Sequence, residues 1–286
     1  MKKGFLLFSA LSMLAMSARV NAETAAASTA SVAAPSASKA LAAVDIRPSW
    51  TTQTGEFHSE NSLMGGYQFT DKLSSTVVYN FNNNIQTPGQ TLGLNLETVD
   101  FSLRFKASNL YQESNTGIAI SYEQRMYLPL AEAARSKGMI AVSRNYLKAS
   151  KSFGEIYKLT LMELPILHLY ERAGSISQTG AAAANPVFEN RVYLINDFQL
   201  TKAVSLSLPV FFHVTWYRDF QAGAKNNNGS SYFFYTYPEV TYAINDNLAV
   251  AAAYYSDNLI LGDLSNTDLS AGLEKGVFQV SLQASL

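Results

Sequence analysis

The stretch Val204–Tyr217 alternates, residue by residue, between two kinds of side chain. One set is apolar throughout, and the set between them is mixed and mostly polar. The apolar set is Val204, Leu206, Leu208, Val210, Phe212, Val214 and Trp216, and the mixed set is Ser205, Ser207, Pro209, Phe211, His213, Thr215 and Tyr217. Because successive side chains of a β-strand point to opposite faces, this stretch predicts a strand with one continuously apolar, uncharged face.

A second strand precedes this one and shares its polarity. Val192, Leu194, Phe198 and Leu200 lie on one predicted face, which only Asn196 interrupts. The short turn Thr201–Ala203 is flanked by Leu200 and Val204, which both belong to the apolar face. The two strands therefore form a hairpin with one apolar side and one polar side.

The same hairpin recurs along the chain. Thr70–Lys72 and Asn245–Asn247 are also three-residue turns between apolar residues of matching parity, and the other connections are longer. Short turns at one end and long loops at the other are typical of transmembrane β-barrels. We predict an all-β, antiparallel up-and-down barrel of about 12 strands, with 10 or 14 as alternatives. The strands are expected near Val44–Gln53, Ser62–Phe69, Leu73–Asn82, Thr98–Ala107, Gly117–Tyr127, Met139–Lys148, Ile156–Tyr170, Phe188–Leu200, Val204–Tyr217, Ser231–Ile244, Leu248–Tyr255 and Asp268–Leu286, with bulges at Glu163–Pro165 and Glu274–Gly276.

Composition agrees with a barrel and excludes other classes. Only 15% of the 286 residues are charged and 12% are aromatic, which suits an outer surface of apolar side chains between aromatic belts. There is no cysteine, hence no disulfide, lipoprotein anchor or thiolate metal site. Lys2, Lys3 and Arg19 lie within the first 22 residues, so the remaining chain is acidic and nucleic acid is not an expected partner. No cofactor is expected.

The N-terminus predicts export. A basic start, an apolar core over Gly4–Met16 and the residues Val20–Ala22 form a secretory signal peptide over residues 1–22. A transmembrane helix is the alternative, but this apolar run is shorter than the ~20 residues that span a bilayer. Residues 23–43 form an Ala/Ser-rich periplasmic leader, and the barrel occupies residues 44–286. A leader helix that plugs the lumen remains an alternative.

The C-terminal stretch Phe278–Leu286 alternates in the same way. It resembles the final strand by which the outer-membrane assembly machinery recognises its clients, although those strands usually end in Phe and this one ends in Leu286. The resemblance is to Gram-negative outer-membrane β-barrels as a class and covers Val44–Leu286. It implies location in the bacterial outer membrane, with lipid and that assembly machinery as partners. The oligomeric state stays open.

Thirteen residues on the predicted polar face are candidates for lining a pore. They are Asp45, Arg47, Asp100, Arg104, Lys106, Glu123, Arg125, Arg191, Asp197, His213, Tyr235, Tyr237 and Glu239. We expect Asp100 opposite Arg125, Arg104 diagonal to Glu123, and Arg191 opposite His213. Either these charges neutralise one another in a closed lumen, or they line a narrow water path of weak ion selectivity.

Catalysis and metal binding are not expected. The three histidines, His58, His168 and His213, are not placed beside a nucleophile, and no His/Asp cluster suits a transition metal. A calcium ion at Asp257, Asp263 and Asp268 is the weaker alternative to ordinary solvated acids. Phe233, Tyr235 and Tyr237 share the polar face, where they could form a surface that binds sugars.

The sequence supports two functions. One is a narrow passive channel for ions or small polar solutes with a mixed-charge lumen. The other is a closed structural or surface-interaction barrel that acts through its external loops. Barrels of about 8 strands are filled by side chains and those of 16 or more hold a channel, so about 12 strands cannot decide. A leader threaded through the pore, as in autotransporter translocators, and a soluble β-sandwich are weaker alternatives.

Overall fold

The computed structural model describes residues 40–51, 57–86, 95–176, 182–218, 231–256 and 276–285. The predicted signal peptide and most of the predicted leader lie outside these ranges. The strands are β1 (Ala40–Thr51), β2 (Phe57–Gln68), β3 (Leu73–Gln86), β4 (Asn95–Gln112), β5 (Ala119–Pro129), β6 (Met139–Phe153), β7 (Tyr157–Tyr170), β8 (Gly174–Ile176), β9 (Ala182–Ala184), β10 (Pro186–Gln199), β11 (Val204–Tyr217), β12 (Ser231–Thr236), β13 (Glu239–Asn245), β14 (Leu248–Tyr255) and β15 (Val277–Ser285), and one short helix, α1, covers Glu132–Ser136.

The strands form a closed antiparallel barrel. Each spanning strand pairs with the next along the chain, and β1 pairs with β15 to close the ring. β12 and β13 both pair with β11 and form one interrupted strand, broken at Tyr237 and Pro238, because proline has no N–H to donate. β8 and β9 form a separate hairpin. The described strands therefore make a barrel of 12 spanning strands, which confirms the predicted fold class.

The connections are mostly shorter at one end of the barrel than at the other. Residues 69–72, 113–118, 154–156, 200–203 and 246–247 make turns of at most six residues at the end where β1 begins and β15 ends. The opposite end carries the longer connections, among them α1 and the β8–β9 hairpin. The predicted turns at Thr70–Lys72, Thr201–Ala203 and Asn245–Asn247 are confirmed. No helix in the described part of the chain is long and apolar enough to cross a membrane.

The outside of the barrel is apolar and the inside is largely polar. Leucine, valine and tyrosine side chains stand exposed on the outer face, including Leu63, Leu161, Leu194 and Val240. Buried positions are rich in polar residues such as Ser102, Glu123, Asp197 and Gln279. A soluble protein has the reverse arrangement, so this distribution is that of a barrel surrounded by lipid.

The register between β4 and β5 corrects one prediction. Arg104 pairs with Arg125 and Asp100 pairs with Pro129, so the expected pair Asp100–Arg125 is wrong. The cause is the position of the turn, because β4 continues to Gln112, which pairs with Ala119, and the turn therefore lies further along the chain than the expected pair requires. A bulge between Ala107 and Tyr111, where Asn109 has φ 47°, then shifts the register by two residues. Arg104 remains diagonal to Glu123, as predicted.

Strand β10 keeps the register expected from its hairpin. Arg191 pairs directly with His213 on β11, which confirms the predicted pair.

Strand β7 corrects a second prediction. No register shift occurs at Glu163–Pro165, where a bulge was expected, and β7 pairs continuously with β10 there. The alternation changes polarity instead: Leu164 and Ile166 point inward and are buried, whereas Glu163 is exposed on the outer face. The parity break in the sequence therefore marks an inverted polarity and not an extra residue.

The first and last strands also differ from the prediction in where they begin. β1 begins at Ala40, four residues before the expected start at Val44. At the other end, β15 begins at Val277, and residues 268–275 of the predicted last strand lie outside the described ranges.

Candidate functional site

A cavity of about 520 Å³ lies inside the barrel. Side chains from β1 to β7 and from β10, β11 and β14 surround it, so it occupies the lumen and not a surface cleft. Its lining includes arginines on β1, β4, β5, β6 and β10 and aromatic rings on β5, β6, β10, β11 and β14. This cavity is the candidate functional site.

Three arginines form a row across neighbouring strands. Arg104 on β4 pairs with Arg125 on β5, and Arg125 pairs with Arg144 on β6. Like charges directly opposite each other destabilise a sheet. Two tyrosine rings offset this repulsion, since Arg125 Cζ lies 4.1 Å from the ring centre of Tyr146 and Arg144 Cζ lies 4.4 Å from that of Tyr127. We call Arg104, Arg125 and Arg144 the arginine row.

Acidic side chains compensate part of this charge. Arg125 Nε donates to Glu123 Oε1 at 2.5 Å, and the pair is buried. On the far side of the lumen, Arg47 forms an ion pair with Asp45 on its own strand. Arg144 Nε, by contrast, is buried and has no hydrogen-bond partner among the described residues. The row therefore retains a donor that no described acceptor satisfies.

Stacked aromatic rings cover the wall formed by β10, β11 and β12, which β7 separates from the arginine row. The ring of Phe211 stacks on Tyr193 with centres 4.5 Å apart and on Tyr235 with centres 4.9 Å apart. His213 stacks on Phe233 at 4.6 Å, one step further along the same strands. These rings on β10, β11 and β12 form a continuous surface, which we call the aromatic stack.

A polar cluster lies next to the aromatic stack, toward the long loops. Glu189 Oε1 lies 2.8 Å from His168 Nε2, and its Oε2 accepts a hydrogen bond from Arg191 at 2.8 Å. His213 Nε2 is 3.5 Å from the same carboxylate. Within the described residues, no group of three or more His, Cys, Asp or Glu side chains is placed to hold a metal ion. The calcium alternative at Asp257, Asp263 and Asp268 falls outside the described residues.

All thirteen pore-lining candidates lie on the inner face of the barrel. Seven border the cavity, namely Asp45, Arg47, Asp100, Arg104, Arg125, Arg191 and Tyr237. The other six, Lys106, Glu123, Asp197, His213, Tyr235 and Glu239, lie on the inner wall beside it. Lys106 pairs with Glu123, Asp197 accepts a 2.6 Å hydrogen bond from Ser207, and Glu239 accepts one from Thr241. His213 approaches Thr215, and Tyr235 belongs to the aromatic stack. The structure thus brings the candidates onto one surface but gives them unequal access to the cavity.

Several cavity residues were missed by the sequence analysis. Arg144, Tyr127, Tyr146, Tyr193 and Phe211 all border the cavity. Each lies at an inward position of a predicted strand, so the alternation of β6, for example, carries the signal for Arg144 and Tyr146. The thirteen candidates were only part of the polar face and did not include these five residues.

An apolar cluster narrows the lumen on one side. The inward side chains of β7 pack with neighbours on β5, β6 and β10, and all of them are buried. The cluster contains Tyr127, Val142, Tyr146, Met162, Leu164, Ile166, Tyr193, Ile195 and Tyr237. The lumen is therefore only partly open to a polar path.

Comparison with known proteins identifies the fold. No protein-family model matches the chain, and no curated protein matches its sequence. Among solved structures, the NanC porin shares a TM-score of 0.53 at 9% identity, covering 85% of this chain and all of that one. The KdgM porin gives 0.44 at 10% identity over 85% and 99% of the two chains. The translocator domain of autotransporter NalP from Neisseria meningitidis gives 0.43 at 8% identity over 86% and 88%. The NanC comparison shows that this chain has the fold of an outer-membrane β-barrel.

Proposed function

We propose that this protein is an outer-membrane channel through which small polar solutes diffuse passively. The observation that carries the proposal is the cavity of about 520 Å³ within the barrel, bordered by charged side chains from both sides of the lumen. Apolar outer faces and short turns at one end support insertion into a bilayer. The predicted signal peptide supports export to the outer membrane.

The charge distribution favours anionic solutes over cationic ones. The arginine row places three guanidinium groups on adjacent strands, and Arg191 borders the same cavity. Arginine recognises carboxylate and phosphate groups through paired hydrogen bonds. Arg144 borders the cavity together with Arg104 and Arg125, so all three members of the row are placed at its wall. The mixed-charge lumen expected from sequence is thus proposed to have a preferred sign near its middle.

The aromatic stack favours solutes with an apolar face. Phe211, Tyr235 and Phe233 are stacked along the wall, where their ring faces cover one another and their apolar edges form the surface. A sugar ring or another apolar surface packs against this surface, while its charged groups meet the arginines that border the same cavity. We therefore propose small anionic solutes with a ring as the preferred class.

The apolar cluster supports a second candidate, a closed barrel that acts through its external loops. Ile166 and Ile195 are fully buried inside the barrel, which is the packing expected of a filled interior. In that case the cavity is a pocket and not a path. No enzyme activity is proposed for either candidate.

Solute flux distinguishes the two. The refolded chain is placed in liposomes, and swelling is followed in a neutral sugar, in the matching sugar acid and in a neutral sugar polymer too large for the cavity. The channel predicts uptake of both small solutes, faster for the acid, and exclusion of the polymer. Heat-modifiable migration shows that the barrel is folded. If liposomes that contain the folded barrel swell no faster than empty liposomes, the channel is contradicted.

A further inference from the structure

Polar side chains cross the outer, lipid-facing surface of the barrel in one row. The row contains Gln124 on β5, Asn145 on β6, Glu163 on β7 and Asn190 on β10, and we call it the outer polar row. Gln124 pairs directly with Asn145. Leu147 and Val192 pair with Glu163 from its two sides, so Asn145 and Asn190 occupy the adjacent outward positions. The four side chains are therefore neighbours on one surface.

The row lies near mid-height of the membrane-spanning surface. Glu163 is the middle outward position of β7, with six residues separating it from Tyr157 and from Leu169. Six residues span about 20 Å along a tilted strand, and the apolar band of such barrels is about 25 Å tall. Its outward neighbours Leu161 and Leu167 are 52% and 48% exposed, as lipid-facing leucines are. Glu163 thus lies far from both membrane surfaces.

The row also has hydrogen-bonding groups that the barrel does not use. Asn190 Nδ2 donates to Glu163 Oε1 at 3.2 Å, and the Tyr122 hydroxyl donates to Asn145 Oδ1 at 2.7 Å. Glu163 Oε2 and Asn145 Nδ2 make no hydrogen bond with another described residue. Hydrocarbon chains offer neither donors nor acceptors, so a carboxylate and an amide at this depth are costly when they face lipid.

We propose that the outer polar row is the interface with a second copy of this chain, related by a two-fold axis along the membrane normal. An axis between Asn145 and Glu163 places each Asn145 amide opposite the carboxylate of the second copy's Glu163, and each Gln124 opposite Asn190. A two-fold interface is self-complementary, so the free donor and the free acceptor satisfy each other twice. The polar groups then leave lipid without any change in the barrel.

The chemistry of the row favours a second copy over other occupants. The row contains one carboxylate and three amides in an order that complements itself under a two-fold rotation. The outward side chains of Ala141 and Ser143, just beside the row on β6, are small and buried, and they leave room for close approach. Small residues with interspersed polar ones are typical of helix contacts within membranes, and the same packing argument applies to strands. This inference does not depend on an open lumen.

Cross-linking tests the interface directly, because the chain has no native cysteine. Leu147 lies across from Glu163 and is 47% exposed, whereas Val240 is 46% exposed on the other side of the barrel. Full-length Leu147→Cys and Val240→Cys proteins are reconstituted in phosphatidylcholine vesicles, oxidised and run without reductant. The proposal predicts a disulfide-linked dimer for Leu147→Cys and monomer for Val240→Cys. Monomer from both variants, or equal dimer from both, overturns it.

A second set of variants separates the row from chance collisions. In the Leu147→Cys background, Asn145→Leu combined with Glu163→Leu removes the reciprocal bonds, and the dimer fraction is expected to fall at least about tenfold. Tyr79→Leu, which removes an outward hydroxyl on β3, is expected to leave cross-linking unchanged. Heat-modifiable migration verifies that each barrel is folded. Undiminished cross-linking in the folded double variant contradicts the proposed interface. The outer polar row is then covered by a different protein or by lipid.

Discussion

Arg125 and Arg144 lie directly across from each other on neighbouring strands, and each guanidinium covers a tyrosine of the other's strand. Arg125 on β5 lies over Tyr146 on β6, and Arg144 on β6 lies over Tyr127 on β5. This crossed arrangement holds two like charges about one strand spacing apart inside the lumen. It gives the cavity a fixed positive wall whose position is set by packing and not by flexible side chains.

Removing one charge from this wall is expected to change ion selectivity. Arg144→Gln lowers the ratio of anion to cation permeability, because one unit charge acting across about 8 Å of water contributes about 0.5 kcal/mol, or about a twofold change. The measurement is the reversal potential in a salt gradient across a planar bilayer. Lys202→Gln, which removes a positive charge from the exposed turn between β10 and β11, is the control and is expected to leave the reversal potential unchanged. A shift of equal size in both variants contradicts a role for the arginine row.

The aromatic stack is expected to bind sugar rings through Phe211. Phe211→Leu removes the ring that joins Tyr193 to Tyr235, and aromatic contacts of about 0.5–1.5 kcal/mol correspond to about a 2- to 13-fold loss of affinity. Affinity is measured from the concentration of a sugar acid that halves the channel current. Phe212→Leu is the matched control, since Phe212 is the next residue and faces outward. If the Phe212 variant weakens the block as much as the Phe211 variant, the stack does not contact the solute.

The apolar cluster inside the lumen is expected to contribute to stability. Ile166→Ala creates a cavity in a fully buried site and lowers the free energy of unfolding by about 2–4 kcal/mol. Leu167→Ala, on the lipid-facing side of the same strand, is expected to cost less because lipid fills the vacated space. Equilibrium unfolding in guanidinium chloride, with the barrel in detergent micelles, gives both values. Equal costs at the two positions contradict a packed inner cluster.

The register between β4 and β5 is open to a disulfide test. Lys106 and Glu123 are directly paired, so the double variant Lys106→Cys with Glu123→Cys is expected to form a disulfide on oxidation. Asp100→Cys with Arg125→Cys separates the two thiols by four residues, about 13 Å along the strand, and is expected to stay reduced. Free thiols are counted after mild oxidation of the folded barrel. The reverse result contradicts this register and restores the pairing of Asp100 with Arg125.

The fold was predictable because lipid outside and polar groups inside impose strict alternation on most strands. Val204–Tyr217 shows this, and its pairing with β10 followed from one short turn. The register of β4 was not predictable, because it depends on where the turn to β5 lies and on a bulge at Asn109, which has positive φ. β7 was misjudged because its inward residues Leu164 and Ile166 are apolar and its outward residue Glu163 is not. Alternation alone cannot identify the lumen where a strand packs inside and meets a polar surface outside.

The candidate site was predictable as a face but not as a set of contacts. Parity placed Arg104 and Arg125 inward, yet their direct pairing and the third member of the row, Arg144, follow only from the register. The stack of Phe211 on Tyr193 likewise requires the pairing of β10 with β11.

Single-channel conductance tests the central proposal most directly. The refolded chain is measured in a planar bilayer beside a variant that lacks residues 23–39, which leaves β1 intact from Ala40. A channel predicts steady conductance steps from the full chain, or from the deletion variant alone if the leader fills the lumen. If neither protein conducts, although each is shown to be folded and inserted, the channel is contradicted and the closed barrel is favoured.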